Sequence, residues 1–225
     1  MASPTEPLAF KAPYAILNLD LMTVLIDAVK NTPKGQALIS NCNAWIDAVH
    51  ARTPRPLTIL STLAITPGQP EVTPDSPFAR LLEPFGDFAR GSLAVQISKH
   101  FKVDKAGGDI VVEKTRWSAM EGNALEQILR ASGIKTVIIS GLTLTGVVMA
   151  TVYRLFDLDY DVYVIRDNVL DIPVDDTEPV SRVMLDGVLP KMGFSAISLE
   201  EALQALERSR SFSGEFNVYY IYVQL

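Results

Sequence analysis

Two residues with chemically useful side chains each follow a short apolar stretch of the chain. Asp20 comes directly after the run YAILNL (14–19), and Lys114 comes directly after the run IVVE (110–113). If both runs are parallel strands, their carboxyl ends lie at one edge of a sheet, where side chains face a crevice. A carboxyl group and an ammonium group placed there could transfer a proton and stabilise negative charge. The structural alternatives are an aspartate that caps a loop and a lysine exposed to solvent.

The surroundings of Asp20 decide which proton transfer it could perform. An apolar pocket raises the pKa of an aspartate above its reference value of about 3.9, whereas a neighbouring lysine lowers it. If the pocket dominates, Asp20 acts as an acid. If the lysine dominates, it acts as a base.

A turn at residues 141–145 is the third feature with chemical potential. It lies between an apolar, β-branched run at 136–140 and a stretch with helical spacing at 142–156. This order predicts a buried strand, a tight turn and a helix packed back onto the sheet. The first N–H groups of a helix have no partner within the helix, so they would be available at the same edge of the sheet.

Sequence motifs around these residues resemble the isochorismatase-like hydrolases of the cysteine hydrolase superfamily. The string KTRWSAM (114–120) is similar to the family's K-x-R-Y-S-A-F run, and GLTLTGVV (141–148) with Thr151 is similar to its G-x-x-T-x-x-C-V-x-x-T turn. Asp20 matches the family's first-strand aspartate. The spacing agrees over about residues 12–205. One departure is chemical, because the position of the family's nucleophilic cysteine is occupied by Val147.

The resemblance implies roles for individual residues. Lys114 would lie beside Asp20, orient the substrate and stabilise developing negative charge, and Arg116 would be structural or clamp a carboxylate. A cis peptide is implied at Leu142–Thr143, with backbone N–H groups near Thr143 and Val147 forming an oxyanion hole. The residues expected to bind substrate are Thr143, Gly146, Val147, Trp117 and Leu63, and Leu144 and Met22 are expected to make the pocket apolar.

The valine at position 147 narrows the chemistry that this site could perform. The amide hydrolysis of the family's nicotinamidase and carbamoylase branches needs a thiolate, and valine has no nucleophilic atom. The only cysteine, Cys42, lies on the apolar face of a predicted helix and is expected to be a core residue. Isochorismatase-type cleavage needs only a carboxylic acid and a cationic group. We therefore expect thiol-independent acid–base hydrolysis of an enol ether, ester or lactone-like bond in a small organic molecule.

The sequence leaves two other functions open. The lost nucleophile would also suit a non-catalytic descendant that binds a ligand or a partner in the inherited pocket. The Asp20 and Lys114 pair could equally serve an isomerase or lyase of specialised metabolism. No metal or nucleotide cofactor is expected, because the chain has only His50 and His100 and contains neither G-x-G-x-x-G nor a P-loop.

Composition limits the partners and the location of the protein. A net charge of −6 argues against nucleic-acid binding, which depends on Lys and Arg neutralising phosphates. The longest apolar tract, 137–153, is interrupted by serine, glycine and threonine, which does not fit a membrane span. One cysteine excludes an internal disulfide, and the N-terminal residues lack the pattern of a secretory signal. These features predict a cytoplasmic protein.

The remaining elements predict one domain over residues 1–225 with a three-layer α/β/α, Rossmann-like fold. Strands alternate with helices, which indicates a parallel sheet of six strands in the order 3-2-1-4-5-6. The strands are predicted at 14–19, 57–63, 110–113, 136–140, 161–165 and 195–197. The helices are predicted at 32–51, 78–82, 123–133, 142–156, 177–189 and from Ser198, where Glu201 has capping-box spacing.

Three segments fall outside this alternation. Residues 1–11 are predicted to be a loose arm. Residues 65–108 form a long irregular insertion rich in proline and glycine, which predicts a lid, a binding loop or an oligomer contact. Residues 210–225 are a tail that ends in the aromatic, β-prone string FNVYYIYVQL. The apolar character of the insertion and the tail predicts a homo-oligomer, either a dimer or a tetramer.

Overall fold

A computed structural model describes residues 7–86 and 88–209, and within them six strands form a single parallel sheet. The order β3-β2-β1-β4-β5-β6 confirms the predicted topology. The strands are β1 (Tyr14–Leu19), β2 (Leu57–Leu63), β3 (Ile110–Lys114), β4 (Thr136–Leu142), β5 (Asp161–Leu170) and β6 (Ser195–Ile197). Every residue of β1 and β4 is buried, as their apolar, β-branched composition predicts for strands covered on both faces.

Seven α-helices are described: α1 (Thr23–Val29), α2 (Pro33–His50), α3 (Pro77–Leu82), α4 (Leu125–Ala131), α5 (Met149–Asp157), α6 (Thr177–Val183) and α7 (Leu199–Arg208). Helices α4 and α5 pack on one face of the sheet through Leu129, Val152 and their neighbours. Helices α2 and α7 pack on the other face through Trp45 and Leu206. These two layers complete the predicted α/β/α arrangement.

Several element ends are set by the residues that the sequence indicated. The side chain of Thr32 accepts a hydrogen bond from the Gly35 N–H at the start of α2. Ser198 and Glu201 form both hydrogen bonds of a capping box at the start of α7. Near α4 the prediction is one residue off, because Asn123 precedes the N-cap, although its side chain accepts from the Leu125 N–H.

Other predictions need correction. Helix α1 lacks a side-chain cap and was not predicted. Strand β5 is twice as long as the predicted 161–165 and ends at Leu170. The predicted helix 142–156 begins only at residue 144, since residues 136–142 are strand, and it opens with a π-helical turn (Leu144–Val148). The predicted helix 177–189 is α6 followed by a π-helical and a 3₁₀ turn.

The predicted arm is not loose where the structure describes it. Phe10 is buried, its ring packs against Tyr14 and Tyr163, and its N–H donates to Ser209 Oγ. Residues 1–6 and the predicted tail, 210–225, lie outside the described residues. No helix among the described residues is long and apolar enough to cross a membrane.

The insertion is irregular, as predicted, but it has its own apolar interior. It contains α3, a 3₁₀ turn (Glu83–Phe85) and isolated β-bridges at Ile65, Ala89 and Ile97, and its other described residues form turns, bends and irregular segments. Phe88 and Phe101 are buried with Ile65 and Ile26 in a cluster at the carboxyl edge of the sheet. The insertion therefore covers the edge at which the predicted site residues lie.

Candidate active site

Asp20 lies one residue beyond β1 at the carboxyl edge of the sheet. Its backbone has a φ of 52°, a left-handed conformation that non-glycine residues rarely adopt, and its N–H donates to the Ser61 carbonyl. One carboxyl oxygen, Oδ1, accepts a hydrogen bond from Ser61 Oγ at 2.8 Å. The other, Oδ2, lies 2.8 Å from Lys114 Nζ. The two carboxyl oxygens of this buried side chain therefore contact one residue of β2 and one residue of β3.

Lys114 reaches Asp20 from two strands away. It is the last residue of β3, and β2 lies between β3 and β1. Its ammonium group also donates to the Arg116 carbonyl at 2.9 Å, and the side chain is almost completely buried. A lysine ammonium has three donors, so one remains beyond these two partners. The structure therefore brings together the two residues that the sequence singled out for catalysis.

The surroundings of Asp20 act on its pKa in opposite directions. Burial is the largest influence and raises the pKa of the Asp20 carboxyl above its ordinary value, while Lys114 and Ser61 partly oppose this. A raised pKa means that Asp20 holds its proton to a higher pH than an exposed aspartate does. This is the direction that favours the acid over the base.

The turn after β4 approaches the Asp20–Lys114 pair because position 141 is glycine. A side chain there would collide with the backbone carbonyl of Leu19, next to Asp20. The Leu142–Thr143 peptide is cis, as the resemblance implied. At the helix start that follows, the Thr145 N–H donates to Asp171 Oδ2 at 2.8 Å. The proposed N–H donors near Thr143 and Val147 remain a prediction.

A cavity of about 180 Å³ adjoins these groups. Its polar wall consists of Asp20, Lys114, Thr143, Thr145 and Asp171. The remainder is apolar and is formed by Met22, Leu25, Leu63, Leu81, Leu82, Phe85, Phe88, Trp117, Leu142, Val147 and Ile172. A mostly apolar cavity with a few convergent polar groups is typical of a site for a small organic molecule.

Most of the predicted substrate-binding residues reach this cavity. Thr143, Val147, Trp117 and Leu63 line it, and Trp117 is 42% exposed. Gly146 is not among the lining residues. It lies behind them, so close that a side chain at this position would collide with Thr143 Oγ1 and touch the Trp117 ring.

Leu144, which was expected to line the pocket, belongs instead to the hydrophobic core on one face of the sheet. Met22 lines the cavity, as expected.

The roof of the cavity comes from the insertion, which supplies Leu81, Leu82, Phe85 and Phe88. Arg116 attaches this roof to the rest of the site. Its guanidinium group donates to the Glu71 carbonyl and lies 5.0 Å from the centre of the Phe78 ring. These contacts agree with a structural role for Arg116, and the role of the insertion as a lid, a binding loop or an oligomer contact stays a prediction.

Cys42 is remote from this chemistry. Its thiol is buried on α2, where it contacts the Asn168 carbonyl at 3.9 Å, and burial raises its pKa. Within residues 7–86 and 88–209, no group of histidine, cysteine, aspartate or glutamate side chains could hold a metal ion. Among the described residues, the ionisable side chains of the cavity wall are therefore the carboxyl groups of Asp20 and Asp171 and the ammonium group of Lys114.

Sequence reasoning missed Asp171, Thr145 and the roof residues. Asp171 directly follows β5, so it occupies the same kind of position after its strand as Asp20 does after β1. The position of Asp171 at the end of a strand was not recognised, because β5 was predicted to end five residues earlier. The roof residues carried no signal, since their contacts with the cavity depend on how the insertion folds.

Comparison with known proteins agrees with this geometry. A family model described as the isochorismatase domain matches residues 14–189. Similar solved structures include an isochorismatase family protein from Burkholderia thailandensis, with 20% identity and a TM-score of 0.72 over 90% of this chain and 100% of that chain.

A cysteine hydrolase from Pseudomonas syringae pv. phaseolicola has 15% identity and a TM-score of 0.76 over 91% of this chain and 99% of its own. N-carbamoylsarcosine amidase from Thermoplasma acidophilum has 20% identity and a TM-score of 0.63, covering 83% and 96%. At these identities the structures establish a shared fold. None of the curated proteins matches the chain.

Proposed function

The chain belongs to the isochorismatase family, and we propose that it hydrolyses a small organic molecule by acid–base chemistry without a thiol. Asp20 is the proton donor and Lys114 its cationic partner. The bond that we name first is an enol ether, followed by an activated ester or a lactone-like bond. The family is generally hydrolytic, so the proposal concerns how this member acts and on which bond.

The observation that carries the proposal is the buried Asp20–Lys114 pair in the cavity wall, with Val147 at the position of the nucleophile. The two side chains are 2.8 Å apart and both face the cavity. Val147 also lines the cavity but offers no atom that could form an acyl intermediate. Acid–base catalysis is the hydrolytic chemistry that these three residues support together.

Hydrolysis of an enol ether would proceed in three steps. The Asp20 carboxylic acid transfers its proton to the vinyl carbon, which leaves an oxocarbenium ion and an Asp20 carboxylate. Water then adds to the cationic carbon and gives a proton back to Asp20. The resulting hemiketal breaks into a carbonyl compound and an alcohol. The Lys114 ammonium group stabilises the carboxylate while it is charged.

The test is a panel of enol ethers, activated esters and lactones assayed with the wild type and two variants. Asp20→Asn keeps the shape of the side chain but cannot donate a carboxylic proton, so we expect turnover to fall about 10²–10⁴-fold. Cys42→Ala and thiol alkylation of the wild type should leave turnover unchanged, because the thiol is buried away from the cavity. Full activity in a folded Asp20→Asn variant would refute the mechanism.

A ligand-binding protein is the second candidate, and the valine at position 147 is the observation that favours it. A family member without its nucleophile could retain the cavity for recognition alone. Tight binding of panel compounds by calorimetry, with no turnover of any of them, would support this function. Retention of both Asp20 and Lys114 beside the cavity supports the enzyme, since binding an apolar molecule does not need this pair.

Three further expectations from the sequence stay predictions. The protein is predicted to be cytoplasmic, to form a homo-oligomer and to act in secondary metabolism. Light scattering tests the second, and a clean monomer mass would contradict it.

A further inference from the structure

A second buried carboxyl group faces the cavity that holds the Asp20–Lys114 pair. Asp171 follows β5 directly, is 4% exposed and lines the cavity wall. Strand β4 lies between β1 and β5, so Asp171 and Asp20 follow strands on opposite sides of the Thr143 turn. A substrate between them would contact a proton donor on one side and a second carboxyl group on the other.

The Asp171 side chain is fixed by its backbone partners. Its Oδ2 accepts from the Thr145 N–H and its Oδ1 accepts from the Ile172 N–H, each at 2.8 Å. Its own N–H donates to Thr177 Oγ1 at 3.1 Å. A carboxylate offers about four acceptor positions, and two of them are used here. The group can therefore accept a further hydrogen bond from a molecule in the cavity without giving up its anchors.

The balance of charge in the cavity wall follows from this second carboxylate. Lys114 is the one cationic residue among the described residues that line the cavity, and its Nζ lies beside Asp20, 2.8 Å from Oδ2. The side-chain partners of Asp171 are two backbone N–H groups, and none of the ion pairs among the described residues includes it, so an anionic substrate would meet its carboxylate with no cation beside it. Repulsion between like charges is strong in a largely apolar site, because the effective dielectric constant there is low.

We propose that Asp171 determines substrate class: it excludes anionic molecules and accepts a hydrogen bond from a neutral hydroxyl or amide group, or an ion pair from an amine, on an otherwise apolar substrate. This proposal rests on the site of the proposed function but not on its acid–base step. The proposal therefore excludes dicarboxylates as substrates of this protein.

Binding of three small probes with one phenyl ring tests the proposal: benzylamine, benzyl alcohol and benzoate, titrated by calorimetry or ligand-observed NMR. The wild type should bind benzylamine and benzyl alcohol at least about tenfold more tightly than benzoate. In Asp171→Asn, benzoate should gain about tenfold and benzylamine should lose about as much. Asp175→Asn is the matched control, because it removes the same charge from an exposed residue nearby.

Several outcomes would overturn the proposal. These are benzoate binding to the wild type as tightly as benzylamine, failure of both benzylamine and benzyl alcohol to bind, and an unchanged preference in Asp171→Asn. An equal change in Asp175→Asn would also overturn it. If Asp171→Asn does not fold, Asp171→Ser keeps a hydroxyl acceptor near the Thr145 N–H and serves instead. Absence of turnover would defeat the acid–base mechanism alone, since these measurements record binding.

Discussion

The two edges of the sheet each hold a buried carboxyl group beside cationic or ionisable partners. At the carboxyl edge this is the Asp20–Lys114 pair. At the amino edge it is a cluster of His50, Arg55, Asp104 and Asp109, which we call the amino-edge cluster. Asp109 Oδ2 lies 3.0 Å from His50 Nε2 and accepts from the Asp104 N–H, while Arg55 contacts Asp104 at 2.9 Å and Asp109 at 3.7 Å.

The Asp20–Lys114 pair and the amino-edge cluster differ in the parts of the structure that their side chains connect. Asp109 ties the end of α2 to the segments that lead into β2 and β3, and its side chain is fully enclosed by these contacts. Asp20 and Lys114 also join separate strands, but they form part of a cavity wall. A buried charge pair is therefore a sign of function only where a ligand can reach it, and the amino-edge cluster provides the internal control.

Among the variants that separate the two edges of the sheet, Lys114→Met should have the largest effect. The change keeps the apolar stem but removes the charge, so turnover should fall about 10²–10³-fold. Lys114 also lowers the pKa of Asp20 against the larger effect of burial. A proton donor loses activity as the pH rises through its pKa, so without Lys114 this alkaline limb should move to higher pH. The measurement is kcat/KM against pH.

The control for this variant is Lys105→Met, which removes an exposed lysine near the amino edge. It should leave both the rate and the pH profile unchanged. An alkaline limb that stays in place in Lys114→Met would mean that Asp20 is not the proton donor.

Asp109→Asn should have the next largest effect, and on stability rather than on turnover. It replaces one of the two carboxylate oxygens that face His50 Nε2 with an amide NH2 group and removes the charge beside Arg55, which costs about 1–3 kcal/mol. Urea denaturation measures the free energy of unfolding, and turnover per folded molecule should match the wild type. A folded Asp109→Asn variant with impaired turnover would show that the distinction between the two edges is wrong.

The same contrast explains how far the sequence could predict the structure. The strand order and the meeting of Asp20 with Lys114 followed from apolar runs that end in polar residues and from the family motifs. Such signals are local, because a strand buried on both faces must be apolar throughout. The caps at Thr32 and Ser198 were equally local, since each depends on a backbone N–H three residues away.

The rest of the site depended on contacts between distant segments. Asp171 reaches the cavity because β5 continues through the polar residues Arg166 and Asp167, which interrupt the apolar pattern. Leu81 and Phe85 form the roof because Arg116 and its partners hold the insertion over the edge of the sheet. Neither arrangement leaves a periodic signal. In the same way, no sequence pattern predicted the contact between His50 and Asp109, which are 59 residues apart in the chain.

The smallest effect concerns an exposed carboxylate whose titration should have the opposite sign to that of Asp20. Hydrogen bonds from Ser198 lower the pKa of Glu201, so this group stabilises the fold above its unfolded pKa, and the contribution disappears as the pH falls through the folded pKa. Burial raises the pKa of Asp20, so its contribution is present at low pH and is lost as the pH rises.

Glu201→Gln should therefore cost less than about 1 kcal/mol near neutral pH, a small value because solvent screens the group. In urea denaturation from pH 7 to pH 3 the difference from the wild type should shrink, and Glu207→Gln is the control for the same change of charge on this helix. A difference that stays constant with pH would mean that the Glu201 charge contributes nothing and that the sign reversal between buried and exposed carboxylates does not hold in this protein.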